Sequence, residues 1–260
     1  MDYLCYHFPN EVIAFSTRRS GGVSKGNYAS FNCTHYCGDE LEHVLVNRNR
    51  LCDDWGIPVD CLILPRQVHD TKVLVVDDVF MKKTLTQRDE LLDGVDALIS
   101  PLPNVCLAIS TADCIPVLLY DTRLHVVGAI HAGWRGTVAH IVSDVLTQMN
   151  TLYGTQGEDV RAVIGPGISL DAFEVGDEVY DAFCRAGFPM EQIARRDEKW
   201  HIDLWEANRH QLLEGGLLPQ SIDVAGICTY QHFERFFSAR RLGIHSGRIL
   251  TAIMRRSHHC

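Results

Sequence analysis

The chain lacks a long apolar run; none of its hydrophobic stretches approaches the ~20 residues a membrane-spanning helix needs. The start, MDYLCYHFPNEVIAF, has no basic segment followed by an apolar one, so neither a signal peptide nor an anchor is expected. Positive charge is not in excess: 24 Lys and Arg stand against 33 Asp and Glu, for a net charge of -9. That balance speaks against a general nucleic-acid binder and leaves room only for a local basic pocket. The ten cysteines are scattered and include no Cys-x-x-Cys pair. A disulfide framework is therefore not expected, and a reduced cytoplasmic protein is. None of the 13 histidines forms a His-x-His pair, which excludes the trinuclear copper cluster of a laccase. Fixed-period repeats and Pro-, Gly- or Ser-rich linkers are absent too, so residues 1–260 read as one domain of mixed α and β elements.

What is present centres on Ile109 to Thr137, ISTADCIPVLLYDTRLHVVGAIHAGWRGT. Two apolar runs of strand length, Ile115 to Tyr120 and Val126 to Ile130, flank a polar turn at Asp121 to Leu124. Paired antiparallel, they bring the residue entering the first strand beside the residue leaving the second. Those residues are Cys114 and His131. A thiolate beside an imidazole either binds a metal such as zinc or forms a nucleophile with its base. Asp113 before the cysteine and Gly133, Trp134, Arg135 and Gly136 after the histidine are not what a plain core requires. A third candidate ligand, His69, follows Arg66 and Gln67 at a bend or bulge expected within a sheet. Cys33 and Cys37 around His35 could form a second soft-metal site but read more readily as loop cysteines.

Further elements follow from pattern. Val12 to Ser16 reads as a strand leading to Arg18, Arg19 and a Gly-Gly turn, a geometry that can hold an anion. Asp39 to Trp55 is an amphipathic helix carrying Arg48, and Val138 to Tyr153 is another. Strands are expected at Leu62 to Leu64, Thr71 to Val76, Ala97 to Ile99, Val105 to Ser110, Val160 to Ile164, Ala225 to Cys228, Phe236 to Ser238 and Arg248 to Met254. Phe80 to Leu92 reads as an exposed loop or short helix, Glu178 to Ala186 as a helix, and Asp203 to Gly215 as a helix with a glycine stop. Ser238, Ala239, Arg240 and Arg241 form a second dibasic cluster.

Taken in order, TRRSGGVS, RQVH, DGVDALIS, TADCIPVLLYD, IHAGWRGT, IGPGIS, FEVGDEV, DLWEANRHQLLEGG, FFSARR and GRI resemble the YfiH family over about residues 12 to 254. Its members are labelled polyphenol oxidase or laccase-domain protein, purine nucleoside phosphorylase, and peptidoglycan editing factor. The resemblance implies an α+β fold of mixed sheets layered with helices, shared with a bacterial cytotoxin and described as cysteine-hydrolase-like. It also implies a zinc site of His69, Cys114 and His131, and an enzyme that phosphorolyses adenosine, inosine and methylthioadenosine and deaminates adenosine. Two positions depart from the family pattern: Gly167 stands where relatives carry cysteine, and Ala239 where they carry an aromatic residue.

The chemistry follows from those residues. Two imidazoles and a thiolate suit zinc and leave a fourth position open for water; a mononuclear copper is the other fit. Asp113 is the candidate proton shuttle. Phosphate needs arginines, and the available set is Arg18, Arg19, Arg48, Arg66, Arg135, Arg240 and Arg241, with Arg135, Arg66 and Arg241 ranked above the rest and Gln67 beside them. The zinc-deaminase signature, His-x-Glu followed by Pro-Cys-x-x-Cys, is missing. An amide hydrolase using Cys114 with His131 or His69 is the alternative, and a metal-stabilised interaction protein is the non-enzymatic one.

Overall fold

Alternation along one strand sets the layers. In Ile115–Asp121, Val117 and Leu119 face one buried cluster while Leu118 and Tyr120 face another, the period of two that a strand buried on both sides requires. The computed structural model describes residues 2–257; the C-terminal His258, His259 and Cys260 lie outside them.

In chain order the strands are β1 (Tyr3–Cys5), β2 (Val12–Thr17), β3 (Leu62–Ile63), β4 (Val73–Val75), β5 (Ala97–Ser100), β6 (Cys106–Thr111) and β7 (Ile115–Asp121). Then come β8 (Val127–Ala132), β9 (Val160–Ile164), β10 (Glu174–Val175), β11 (Ala194–Arg196), β12 (Trp200–Ile202), β13 (Ile222–Val224) and β14 (Ile249–Arg255). They form a six-stranded sheet in the order β13-β9-β7-β8-β5-β4, a five-stranded sheet in the order β1-β2-β14-β6-β3, and a small sheet β10-β12-β11. Both large sheets are mixed: β3 and β4 join their neighbours parallel, whereas β7 and β8 pair antiparallel.

The helices are α1 (Leu41–Trp55), α2 (Asp78–Met81), α3 (Leu85–Leu92), α4 (Trp134–Val138), α5 (Ile141–Tyr153), α6 (Asp177–Arg185), α7 (Met190–Ile193), α8 (Leu204–Glu214) and α9 (Ala239–Leu242). Leu98, Leu118, Val127 and Ala129 of the larger sheet meet Ala14, Leu107, Ile109 and Ile253 of the other in a dry middle layer. Outside it, α5, α6 and α8 cover the six-stranded sheet and α1 covers the five-stranded one. The result is an α+β sandwich of four layers, with the β6–β7 and β3–β4 connections crossing between the two sheets at one end.

The central hairpin forms as its sequence dictates, with Pro116 opposite His131 and Asp121 turning the chain by accepting the backbone N–H groups of Arg123 and Leu124 at 2.9 and 2.8 Å. Other expectations are corrected. His69 is not inside a sheet: it sits in the bend that carries the chain from β3 to β4, in the left-handed region at φ 66°. The helix expected from Val138 is broken at His140 (φ 60°) into α4 and α5. The strand expected at Ala225 to Cys228 lies earlier, at Ile222–Val224, where Ile222 reaches the core. Phe236 to Ser238 forms no strand; its two phenylalanines are buried, with Arg18 and Arg19 over their faces at 5.9 and 5.4 Å.

Candidate metal centre

Cys114 immediately precedes β7, His131 lies in β8, and His69 comes in on the β3–β4 crossing. Their ligating atoms all lie within 4.8 Å of one another, the one convergent group of His, Cys, Asp or Glu donors among the described residues. The space among them is kept by a glycine: a Cβ on Gly133 would stand 2.9 Å from His69 Cδ2 and 3.1 Å from Cys114 Sγ. Two imidazoles and a thiol meeting over a residue that can carry no side chain fit a soft divalent metal.

The orientation of His131 is set from behind. Its Nδ1 lies 2.7 Å from Asp96 Oδ1, and Asp96 is fully buried. The same carboxylate accepts the backbone N–H groups of Val68, His69 and Asp70 at 3.2, 2.9 and 3.0 Å. One side chain therefore fixes the His131 tautomer, leaving Nε2 for the ligand position, and shapes the bend that presents His69. Burial raises the Asp96 carboxyl, but the hydrogen bond and charge of His131 and the backbone N–H groups outweigh it, so its pKa falls. Burial likewise works against the Cys114 thiolate; the charge of His131 and hydrogen bonds from both histidines prevail and push the thiol down to about 6. For His131 burial is outweighed by the thiolate and Asp96, which push it up to about 9. The site thus holds a thiolate ready to bind a metal or attack an electrophile.

Two clefts meet at this centre, sharing His69, Ala112, Cys114, Ala239 and Ile244. The first, of about 430 Å³, is apolar and aromatic, with Trp134, Ile168, Phe173 and Leu204 in its wall and Asp113 and Arg240 at its edge. The second, of about 350 Å³, is polar: Tyr36, Arg66, Gln67, Ser110, Thr111 and Arg248 line it.

The family model described as multi-copper polyphenol oxidoreductase laccase matches residues 13–256. The chain belongs to that family. The protein from Bacteroides thetaiotaomicron named purine nucleoside phosphorylase is 55% identical over 94% of this chain and 92% of its own length. Adenosine deaminase RL5, from an unknown prokaryotic organism, is 40% identical over 94% of both. The crystal structure of the hypothetical protein YfiH from Bacillus licheniformis superposes with a TM-score of 0.88 at 30% identity, covering 94% of this chain and 93% of that one. The laccase-like YfiH family and its layered α+β fold, read from the motifs, are therefore the family and fold of this chain.

Within this YfiH-family scaffold the other candidates separate. Arg66 and Gln67 line the polar cleft. Gln67 is spent on β6: its Oε1 accepts the Ser110 N–H at 2.7 Å and its Nε2 donates to the Ser110 carbonyl at 2.8 Å. Among the described residues that line the two clefts, Arg18, Arg48, Arg135 and Arg241 do not occur. Each is engaged elsewhere. Arg135 lies over Trp134 at 4.3 Å, Arg18 pairs with Asp2 at 3.2 Å, and Arg48 holds the Cys33 carbonyl and His35. Arg241 rests on Phe233 and Tyr230. Of the arginine pair on α9, the first, Arg240, lines the apolar cleft and the second does not, while Arg248, outside the expected set, lines the polar one.

Asp113 borders the apolar cleft, yet both carboxylate oxygens are engaged, accepting the Thr229 hydroxyl at 2.6 Å and the Arg240 backbone N–H at 2.7 Å. Cys33 and Cys37 are ordinary buried thiols; Cys37 Sγ lies 3.2 Å from the Thr34 carbonyl, and burial pushes Cys33 up to about 12. At Gly167 a Cβ would stand 2.3 Å from Ile115 Cδ1, so a side chain there requires the tip of Ile115 to move, and this chain offers no fourth side-chain ligand at that position. Reading the sequence overlooked Asp96. Its signal was the DGVD motif, where an aspartate heads an otherwise apolar strand.

Proposed function

We propose that this YfiH-family protein is a metal-dependent purine nucleoside phosphorylase that also deaminates adenosine, and that His69, Cys114 and His131 hold its metal, zinc ahead of copper. The observation that carries the reading is the meeting of an aromatic cleft and an arginine-bearing polar cleft at one thiolate and two histidines. The names of relatives, one a purine nucleoside phosphorylase and one an adenosine deaminase, support it. A bound zinc ion supplies Lewis-acid polarisation and activates water near neutral pH. The chain supplies the rest. Trp134 and Phe173 offer flat apolar surface to a purine, and Arg240, 5.5 Å over the Phe173 ring, edges that surface with positive charge. Asp96 keeps His131 in one tautomer throughout.

No helix among the described residues is long and apolar enough to cross a membrane. The test is product analysis of adenosine and inosine with metal-loaded protein, with and without phosphate. Phosphate-dependent release of adenine and hypoxanthine, lost in Cys114→Ala, is expected. Unchanged nucleosides would refute the reading.

The Cys114–His131–Asp96 chain supports a second reading. A lowered thiol, an imidazole beside it and a carboxylate orienting that imidazole are the parts of a cysteine amide hydrolase, and the family's peptidoglycan-editing label gives cell-wall precursors as its substrate class. An acyl-enzyme trapped on Cys114 of metal-free protein would favour it; hydrolysis that depends on added zinc would not.

A further inference from the structure

We infer that the two clefts divide the substrates of a phosphorolysis, and that the polar cleft bounded by Tyr36, Arg66, Thr111 and Arg248 is the site of inorganic phosphate. This assignment rests on the proposed phosphorylase reading and adds to it where the anion sits and which groups hold it.

Three observations carry it. The first is charge. The polar cleft is lined by two guanidinium groups and by no carboxylate among the described residues. Arg66 is ion-paired with Asp93, so the uncompensated charge in the cleft wall is that of Arg248; Asp93 takes the Arg66 Nε–H and aims the side chain. That single bond leaves the four N–H donors on the terminal nitrogens of Arg66 to meet an oxyanion. Arg248 is fixed by the carbonyls of Ile244, Ser246 and Gly247 at 2.9, 2.6 and 3.1 Å, so its charge is held at the cleft wall without an acidic partner.

The second is a hydroxyl without a partner. Thr111 lines the cleft, is 2% exposed, and its Oγ1 makes no hydrogen bond. Buried hydroxyls are rarely left so, because the desolvation cost is not recovered. An oxyanion in the cleft would accept its proton. Next to it, Tyr36 Oη lies 2.6 Å from Ser110 Oγ, a second pair of hydroxyls on the same wall.

The third is direction. In phosphorolysis a phosphate oxygen forms a bond to ribose C1′ as the bond from C1′ to the purine N9 breaks; the electron pair leaves with the purine. The proton of monohydrogen phosphate ends on that purine, and the products are ribose 1-phosphate and free base. Attack and departure occur on opposite faces of C1′. Two clefts that meet at His69, Ala112 and Cys114, one aromatic and one cationic, supply those opposite faces.

The test uses full-length, metal-loaded protein with two variants. Arg66 is exposed, so Arg66→Gln does not disturb the core; Thr111→Val keeps the shape of the buried side chain. Rates are measured with inosine and phosphate varied separately, and calorimetry follows the binding of inorganic phosphate alone. Arg66→Gln is expected to raise KM for phosphate roughly tenfold or more, the effect of losing a charge-assisted hydrogen bond, while KM for inosine changes less than about twofold. Thr111→Val is expected to weaken phosphate binding several-fold with no fall in Tm, whereas a purely structural hydroxyl would lower Tm. If KM for inosine rises instead, or phosphate binds both variants as it binds the parent, the assignment is overturned. A parent protein that releases no base refutes the phosphorylase reading separately; calorimetry still decides the anion site, with tenfold weaker phosphate binding in Arg66→Gln supporting it and no binding to the parent overturning it.

Discussion

Asp96 shows how much one buried carboxylate can organise. It accepts four hydrogen bonds, three from the backbone that carries His69 and one from the other histidine of the centre. The charge it places on His131 helps lower the Cys114 thiol, so the two acidities are linked. In metal-free protein the thiolate is populated above about pH 6 and protonated below it. Iodoacetamide should therefore modify Cys114 at a rate that is flat at neutral pH and falls as the pH drops through about 6. The profile of an ordinary thiol would break near 8.5. In Asp96→Asn the break should move upward, and metal affinity should drop by roughly 10–100-fold, the usual effect of losing a carboxylate behind a ligating histidine. A profile unchanged by Asp96→Asn would remove Asp96 from the control of the thiol. The convergence of Cys114 and His131 was legible because TADC and HAGWRG place polar residues where strands should only be apolar. Asp96 was not, because nothing in a single sequence says that the head of a buried strand points back at a histidine 35 positions later.

At the scale of elements, the segment from Ser238 to Ile244 borders both clefts through Ala239 and Ile244, and Asp113 ties it to the candidate metal centre. Asp113 sits in the left-handed region at φ 87°, one residue before Cys114, and its carboxylate holds Thr229 and the N-terminus of α9. Asp113→Ala gives up two charge-assisted hydrogen bonds and leaves a β-carbon in a costly conformation, a loss of roughly 2–4 kcal/mol in chemical denaturation. Asp113→Asn, which tolerates that conformation and keeps an acceptor, should lose less. Metal stoichiometry should survive in both, while KM for the nucleoside rises more than kcat falls. A proton shuttle would show the reverse: an unaltered Tm and a collapse of kcat. Long elements with clear periodicity, the β7–β8 hairpin, α1 and α8, were legible from the pattern alone. The two- and three-residue strands β10, β11 and β12 were not, because such short segments carry no period. Their pairing comes from the chain folding over α6 and α8. Phe236 and Phe237 misled for the opposite reason: an apolar run reads as a strand, whereas here it is the floor beneath two arginines.

On the scale of the whole molecule, two of the three candidate ligands lie where the chain passes from one large sheet to the other: His69 on the β3–β4 crossing and Cys114 on the β6–β7 crossing. A metal held by them would clip the end of the sandwich shut. The sandwich does not depend on that clip, since its middle layer and both outer layers are closed by buried apolar side chains. Removing metal should therefore cost stability without unfolding the protein. Ligand linkage gives about 2.7 kcal/mol at a free metal concentration of 100 Kd, and at ~2–4 °C per kcal/mol for a chain approaching this size Tm should fall by ~5–10 °C. Far-UV circular dichroism should be unchanged after chelation, and readdition of zinc should restore both Tm and activity. A structural zinc would behave differently, with secondary structure lost on chelation and refolding only when metal returns. The catalytic reading requires the first pattern, because a site that opens onto two clefts, with His69 exposed at their junction, is placed to bind substrates rather than to hold the fold.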